Sequence, residues 1–179
     1  MSNKRAIVTI TVIFSVIAYW LTAFEPNAEA FFTWIMWVYL DLLAAESLVV
    51  FMSSMFPNFV ISLALVAFAN GLWMSVGGFL VPIPLLNVFW KYVFHYIDYQ
   101  AYVFQGMMVN EFQHRSYSCG AGCQCSFPST VPKGCEVLGS TVLQSYGYPL
   151  GRQGKWAGIL VAIIAVYRLL GWIALWARR

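Results

Sequence analysis

From Ser47 to Trp90 the chain carries no charged residue. A water-soluble domain cannot hold so long an uncharged apolar stretch and still cover its surface, so this feature alone points to a bilayer as the solvent. The composition agrees: of 179 residues, 61% are apolar and 9% are charged, against roughly a quarter charged in an ordinary soluble domain. A soluble enzyme is excluded. Disorder is excluded too, since it requires low hydrophobicity and high charge. The net charge of +3 is not gathered into a basic stripe, and nucleic acid is not an expected partner.

A spanning helix needs about 20 mostly apolar residues. Four segments qualify: residues 6–24, 30–56, 59–81 and 156–177. Pro26 and Pro57 punctuate the first three, and Pro82 and Pro84 follow the third, where proline interrupts helix hydrogen bonding. Residues 85–108 tempt a fifth span. There Lys91, His95 and Asp98 fall at i, i+4 and i+7, one helical face, amid eight aromatic residues from Phe89 to Phe104. Tyr and Trp favour the membrane–water boundary, so this segment reads as an amphipathic or re-entrant helix in the interface. Four spans also place Lys4-Arg5 and Arg178-Arg179 on one side, cytoplasmic by the positive-inside rule. Arg152 and Lys155 run against that rule in this topology. The N-terminal run imitates a signal peptide ending in Ala28-Glu29-Ala30, but at 19 residues it exceeds the usual run of roughly 7–15. A retained span is the better reading. The expected fold is therefore all-α and integral to the membrane.

The one sizeable polar region, residues 110–154, holds all four cysteines: Cys119, Cys123, Cys125 and Cys135. Facing outside, they read as disulfides, with three possible pairings left open. Zinc, with His114 as an extra ligand, fits less well. The spacing C-x3-C-x-C-x9-C lacks paired C-x2-C knuckles, and no metal is expected.

No catalytic constellation is visible. Gly151-Arg152-Gln153-Gly154-Lys155-Trp156 only imitates a phosphate-binding loop, because Pro149 stands where a glycine is needed and no Ser or Thr follows Lys155. Lys91, His95 and Asp98 read as a polar stripe rather than an acid–base site. Asp41 and Glu46 lie within the second span, where charge is expensive and turns to the bundle interior or to water. Five residues apart, they point about 140° from each other. One of them can pair with Arg168 of the last span.

The order of several short motifs resembles one family. Tyr19-Trp20-Leu21-Thr22 through Glu25-Pro26 to Phe31-Phe32 resembles the junction of the third and fourth spans in G-subfamily ABC transporters, the white/pleiotropic-drug-resistance group. Gly77-Gly78-Phe79-Leu80-Val81 resembles that family's sequence at the outer end of the fifth span. Phe89-Trp90-Lys91-Tyr92 through Tyr102 to Asn110-Glu111-Phe112 is similar to its re-entrant helix pair and the N-E-F sequence opening the last external loop. Val142-Leu143-Gln144-Ser145-Tyr146-Gly147, then Lys155-Trp156, is similar to the approach to the sixth span. Fungal half-size members are the most similar.

The resemblance implies an ABC-2-type transmembrane domain, working as a homo- or heterodimer of two membrane halves that line an export path for lipids, sterols or apolar drugs. It implies a plasma membrane or another eukaryotic endomembrane. ATP and Mg would bind a nucleotide-binding domain supplied elsewhere. That domain and the family's first two spans have no counterpart here, so a fragment, a truncated gene model or a degenerate copy that does not pump by itself is expected. The family's di-leucine valve falls on Phe79 and Leu80. The family's loop disulfide falls on Cys119 and Cys135, leaving Cys123 or Cys125 for a bond across the dimer. Two local bonds, Cys119–Cys125 with Cys123–Cys135, are the competing arrangement. Two other readings are a four-span scaffold similar in outline to tetraspanins, although Cys119-Gly120 has no adjacent cysteine pair, and an intramembrane enzyme resting on Asp41, Glu46 and the Lys91 stripe.

Overall fold

The computed structural model describes residues 2–119, 125, 127 and 135–177, with side chains from residue 5 onward. Cys123, the Lys4 side chain, Arg178 and Arg179 lie outside the described residues. Six α-helices follow in chain order: α1 (Ser2–Leu21), α2 (Ala28–Met55), α3 (Phe59–Val76), α4 (Tyr99–Phe112), α5 (Gly139–Tyr146) and α6 (Gln153–Ala177).

Local chemistry sets the helix starts. Asn27 caps α2 by accepting from the Glu29 N–H at 3.1 Å, and Glu29 sits in the first turn, where the helix dipole favours a carboxylate. Asn58, just after Pro57, caps α3 through the Val60 N–H at 3.0 Å. Among the described residues three helices are long and apolar enough to cross a membrane: α2, α3 and α6. The apolar part of α1, Arg5–Leu21, is shorter.

One sequence expectation changes. Residues 85–108 are not one amphipathic helix. The stretch holds a 3-10 turn (Ile83–Leu85), a π-helical turn (Trp90–Phe94), a break, and then α4. Lys91, His95 and Asp98 therefore share no helical face, because the spacing argument requires an unbroken helix. Asp98 is instead the N-cap of α4, accepting from the Gln100 N–H at 2.8 Å. The helical membrane architecture expected from the sequence holds, with one short two-stranded ribbon added. Strands β1 (Ser116–Ser118) and β2 (Glu136–Leu138) pair antiparallel, with Tyr117 opposite Val137. Two further bounds are refined. The third apolar segment ends as helix at Val76, so Phe79 and Leu80 lie beyond it, and the N-E-F sequence forms the last turn of α4 rather than the loop.

The core lies where α4 packs against α2 and α6. Trp37, Val109 and Leu160 are fully buried there, beside Tyr99 and Leu143. Gly106 of α4 is the point of closest approach: a β-carbon there would overlap the Trp37 ring. Elsewhere the surface is apolar, as a lipid solvent requires. Trp20 of α1, Phe59 of α3 and Trp172 of α6 are each more than 60% exposed.

Candidate functional site: a cavity beneath Phe79 and the ionic contacts around it

After Val76 the chain turns out of α3 through Gly77 and Gly78. A β-carbon on Gly77 would meet an Asp98 carboxylate oxygen at 2.8 Å, and Gly78 has φ 95°, a backbone region that glycine enters freely. A side chain at Gly78 would also strike the Tyr148 hydroxyl. These two glycines seat the turn against α4 and the segment before α6 of the same chain.

The turn carries Phe79 and Leu80, which are 55% and 61% exposed. Phe79 meets Phe104 of α4 edge to face, with centroids 5.5 Å apart. Beneath it α2, α3 and α4 line an open pocket of about 300 Å³. Its walls include Trp73 and Met107, with Asp41 and Gln100 as polar points. Such a space takes an apolar molecule and offers a few fixed polar contacts.

Asp41 and Glu46 point to different surroundings, as their spacing predicts. Arg168 donates to Glu46 at 2.7 Å and to the Ser47 hydroxyl at 2.9 Å. Ser47 in turn donates to the Leu43 carbonyl at 2.7 Å. This ties α6 to α2 at the surface of the apolar bundle, where an unpaired charge facing lipid would be costly.

A second ionic group, which sequence reasoning did not single out, closes one end of the bundle. Glu111 accepts from Arg115, from the Tyr117 hydroxyl at 3.3 Å and from the Glu25 N–H at 3.1 Å. Asn110 donates to the Ala30 carbonyl at 2.9 Å. The N-E-F sequence thus fastens the end of α4 to the α1–α2 turn. The available signal was the i, i+4 spacing of Glu111 and Arg115. Burial first, and then the Glu111 charge, push the Tyr117 phenol up to about 12.

His95 and Lys91 lie apart from the cavity beneath Phe79. The His95 Nδ1 faces the Val76 carbonyl at 3.0 Å, and Lys91 is half-buried on the π-helical turn. In the loop, Cys119 is joined to Cys125, with Cα atoms 5.0 Å apart, so the Cys119–Cys135 pairing implied by resemblance is not the one formed. Cys119 and Cys135 do face each other, but through the backbone. The Cys119 N–H donates to the Cys135 carbonyl at 2.7 Å, extending the β1–β2 ladder, and Cys135 has φ 47°. Cys135 is itself disulfide-bonded, and among the described residues no cysteine is free. Cys125 is therefore not available for a bond across a dimer.

A membrane helix bundle of this order, broken after its third helix by a 3-10 and a π-helical turn, belongs to a known family. The model of the ABC-2 type transporter family matches residues 6–112, more than half of the chain, and the chain belongs to that family. Its relatives include ABC transporter G family member 23 of Arabidopsis thaliana, 28% identical over 165 residues, which are 91% of this chain and 25% of that protein. ABC transporter G family member 1 of Petunia hybrida is 32% identical over 173 residues, 95% of this chain and 25% of that protein. ABC transporter patM of Penicillium expansum is 28% identical over 178 residues, 88% of this chain and 12% of that protein. The chain thus spans about a quarter or less of these relatives. The tetraspanin-like reading gives way to this membership.

Proposed function

We propose that the chain is the permease portion of an ATP-driven exporter of lipids, sterols or apolar drugs. It pairs with another transmembrane half, of its own or a related sequence, in a plasma membrane or other eukaryotic endomembrane. The chain has no ATP-hydrolysing role of its own. ATP and Mg bind a nucleotide-binding domain supplied outside these 179 residues. In this reading α1 is a fourth span, both termini are cytoplasmic, residues 113–150 face outward, and Phe79 with Leu80 close the path toward the outside.

The cavity beneath Phe79 carries the reading. Its walls are mostly apolar and it lies between α2, α3 and α4. The two side chains above it remain exposed within one chain, as they would if a second half completed the closure. Opposed apolar side chains on a two-fold axis can exclude water and polar solutes.

The test is transport by a chimera in which the chain replaces the matching quarter of the Petunia hybrida relative. Inside-out vesicles should take up fluorescent sterol, phospholipid or drug analogues only with ATP and Mg. ATP hydrolysis without uptake of any of them would contradict an export function.

A further inference from the structure

A second cavity, of about 340 Å³, lies between the re-entrant segment and the start of α6. Lys91 from the π-helical turn and Arg152 and Lys155 from the start of α6 all line it, and no carboxylate does. Among the described residues the ion pairs are Arg115–Glu111 and Arg168–Glu46, and neither involves Lys91, Arg152 or Lys155. Two of them, Arg152 and Lys155, run against the positive-inside rule in a four-span topology.

Two buried polar side chains complete the wall. His95 and Gln105 are 7% and 5% exposed. The Val76 carbonyl can only accept, so His95 Nδ1 carries the proton and Nε2 the lone pair. The Gln105 amide, 3.3 Å from Nε2, donates to it. One amide proton of Gln105 is then left to donate elsewhere. The site offers three cations, a spare N–H and the N-terminal end of α6, where backbone N–H groups favour anions.

What separates a lipid from a dissolved anion is the surface below. Val166, Leu169 and Ile173 lie 11, 14 and 18 residues beyond Lys155, on its face of α6. They are 50%, 60% and 51% exposed. From Lys155 to Ile173 the helix rises about 27 Å, close to the thickness of a bilayer's hydrocarbon core.

We propose that this cavity binds the phosphate of an acidic phospholipid, with the acyl chains laid along Val166, Leu169 and Ile173. A headgroup carrying its own ammonium would place a cation among three others, so choline lipids are disfavoured. The site needs only the membrane setting, and it stands whether or not the chain is part of an exporter.

Native mass spectrometry of the purified full chain in detergent tests this with three probes: dioleoyl phosphatidate, dioleoyl phosphatidylcholine and inorganic phosphate. Phosphatidate should bind in preference to phosphatidylcholine. Its affinity should fall about tenfold or more in the Lys91→Gln/Arg152→Gln/Lys155→Gln variant, as loss of charge-assisted hydrogen bonds requires. Arg5→Gln should leave binding unchanged. The charge-keeping variant Lys91→Arg/Lys155→Arg should retain it, which separates loss of binding from loss of fold. Equal binding of phosphatidate by the triple variant and the native chain would overturn the site. So would equal binding of the two lipids. Inorganic phosphate bound in a Lys91-dependent way, with no such dependence for phosphatidate, would overturn the lipid assignment.

Discussion

Helices α3 and α4 are buried in the opposite order from their polarity. In α3, Phe59–Val76, there is no charged residue, yet 3 of its 18 residues are buried. In α4, Tyr99–Phe112, Gln100, Gln105, Asn110 and Glu111 interrupt the apolar sequence, yet 8 of its 14 residues are buried. In water the order would be reversed. In a bilayer the lipid tails solvate Phe and Leu as well as a protein interior does, so apolarity alone pulls no helix inward. Polar side chains are driven inward because hydrocarbon gives them no partner. Small residues then decide how closely the helices approach, and Gly106 against Trp37 does so here. The more apolar helix is left free to face lipid or a second membrane half.

The largest effect should come from filling that close approach. Gly106→Leu should abolish a monodisperse folded species, since overpacking of a tight contact typically costs about 1–3 kcal/mol and often more where a rigid ring is the obstacle. Gly71→Leu in α3, where nothing stands within 4 Å of an added β-carbon, should be tolerated. Size-exclusion profiles and thermal unfolding of both variants decide. Equal damage would mean that α3 is as closely packed as α4.

Beyond the bilayer a covalent bond takes over. Reduction of Cys119–Cys125, or Cys125→Ser, should cost about 2 kcal/mol by the chain-entropy model for so short a loop. Non-reducing peptide mapping should recover a fragment linking Cys119 to Cys125. A Cys119–Cys135 fragment would show that the loop pairs as the family resemblance implies.

A smaller effect is expected at the α2–α6 contact. Glu46→Gln or Arg168→Met should each cost about 1–2 kcal/mol, the scale of interhelical polar contacts in membranes. The double variant should cost less than the two together, because each single change leaves a charge in apolar surroundings. Strict additivity in thermal unfolding would show that the Arg168–Glu46 pair contributes no coupling.

Much of this arrangement was legible in the sequence, and the physical reasons differ from place to place. Pro26 and Pro57 mark real helix boundaries because a missing N–H acts locally, whatever surrounds it. The divergence of Asp41 from Glu46 followed from helical geometry inside one unbroken helix. The reading of residues 85–108 as one continuous helix failed for the same reason in reverse. Periodicity has meaning only while the helix continues, and a π-helical turn and the Asp98 cap intervene. Aromatic density there suggested an interfacial position, yet Tyr99 and Tyr102 are core residues, with hydroxyls donating to Asn70 and to the Tyr96 carbonyl. The interhelical role of Asn110 and Glu111 was hidden because their partners, Ala30 and Glu25, are some 80 residues away in sequence. The cavity beneath Phe79 depends on three helices meeting and has no local signature.

The smallest effect on stability and the largest on function should coincide at Phe79 and Leu80, where the exposed turn after α3 overlooks the cavity. Both side chains are exposed in one chain, so Phe79→Ala/Leu80→Ala should leave the unfolding temperature nearly unchanged. The decisive measurement is ATP-dependent transport by this double variant, assembled with its nucleotide-binding domain and reconstituted in vesicles. An altered transport rate in a normally folded, ATP-hydrolysing protein is the predicted result. Transport and basal ATP hydrolysis both equal to those of the unsubstituted protein would contradict a path that closes at this turn.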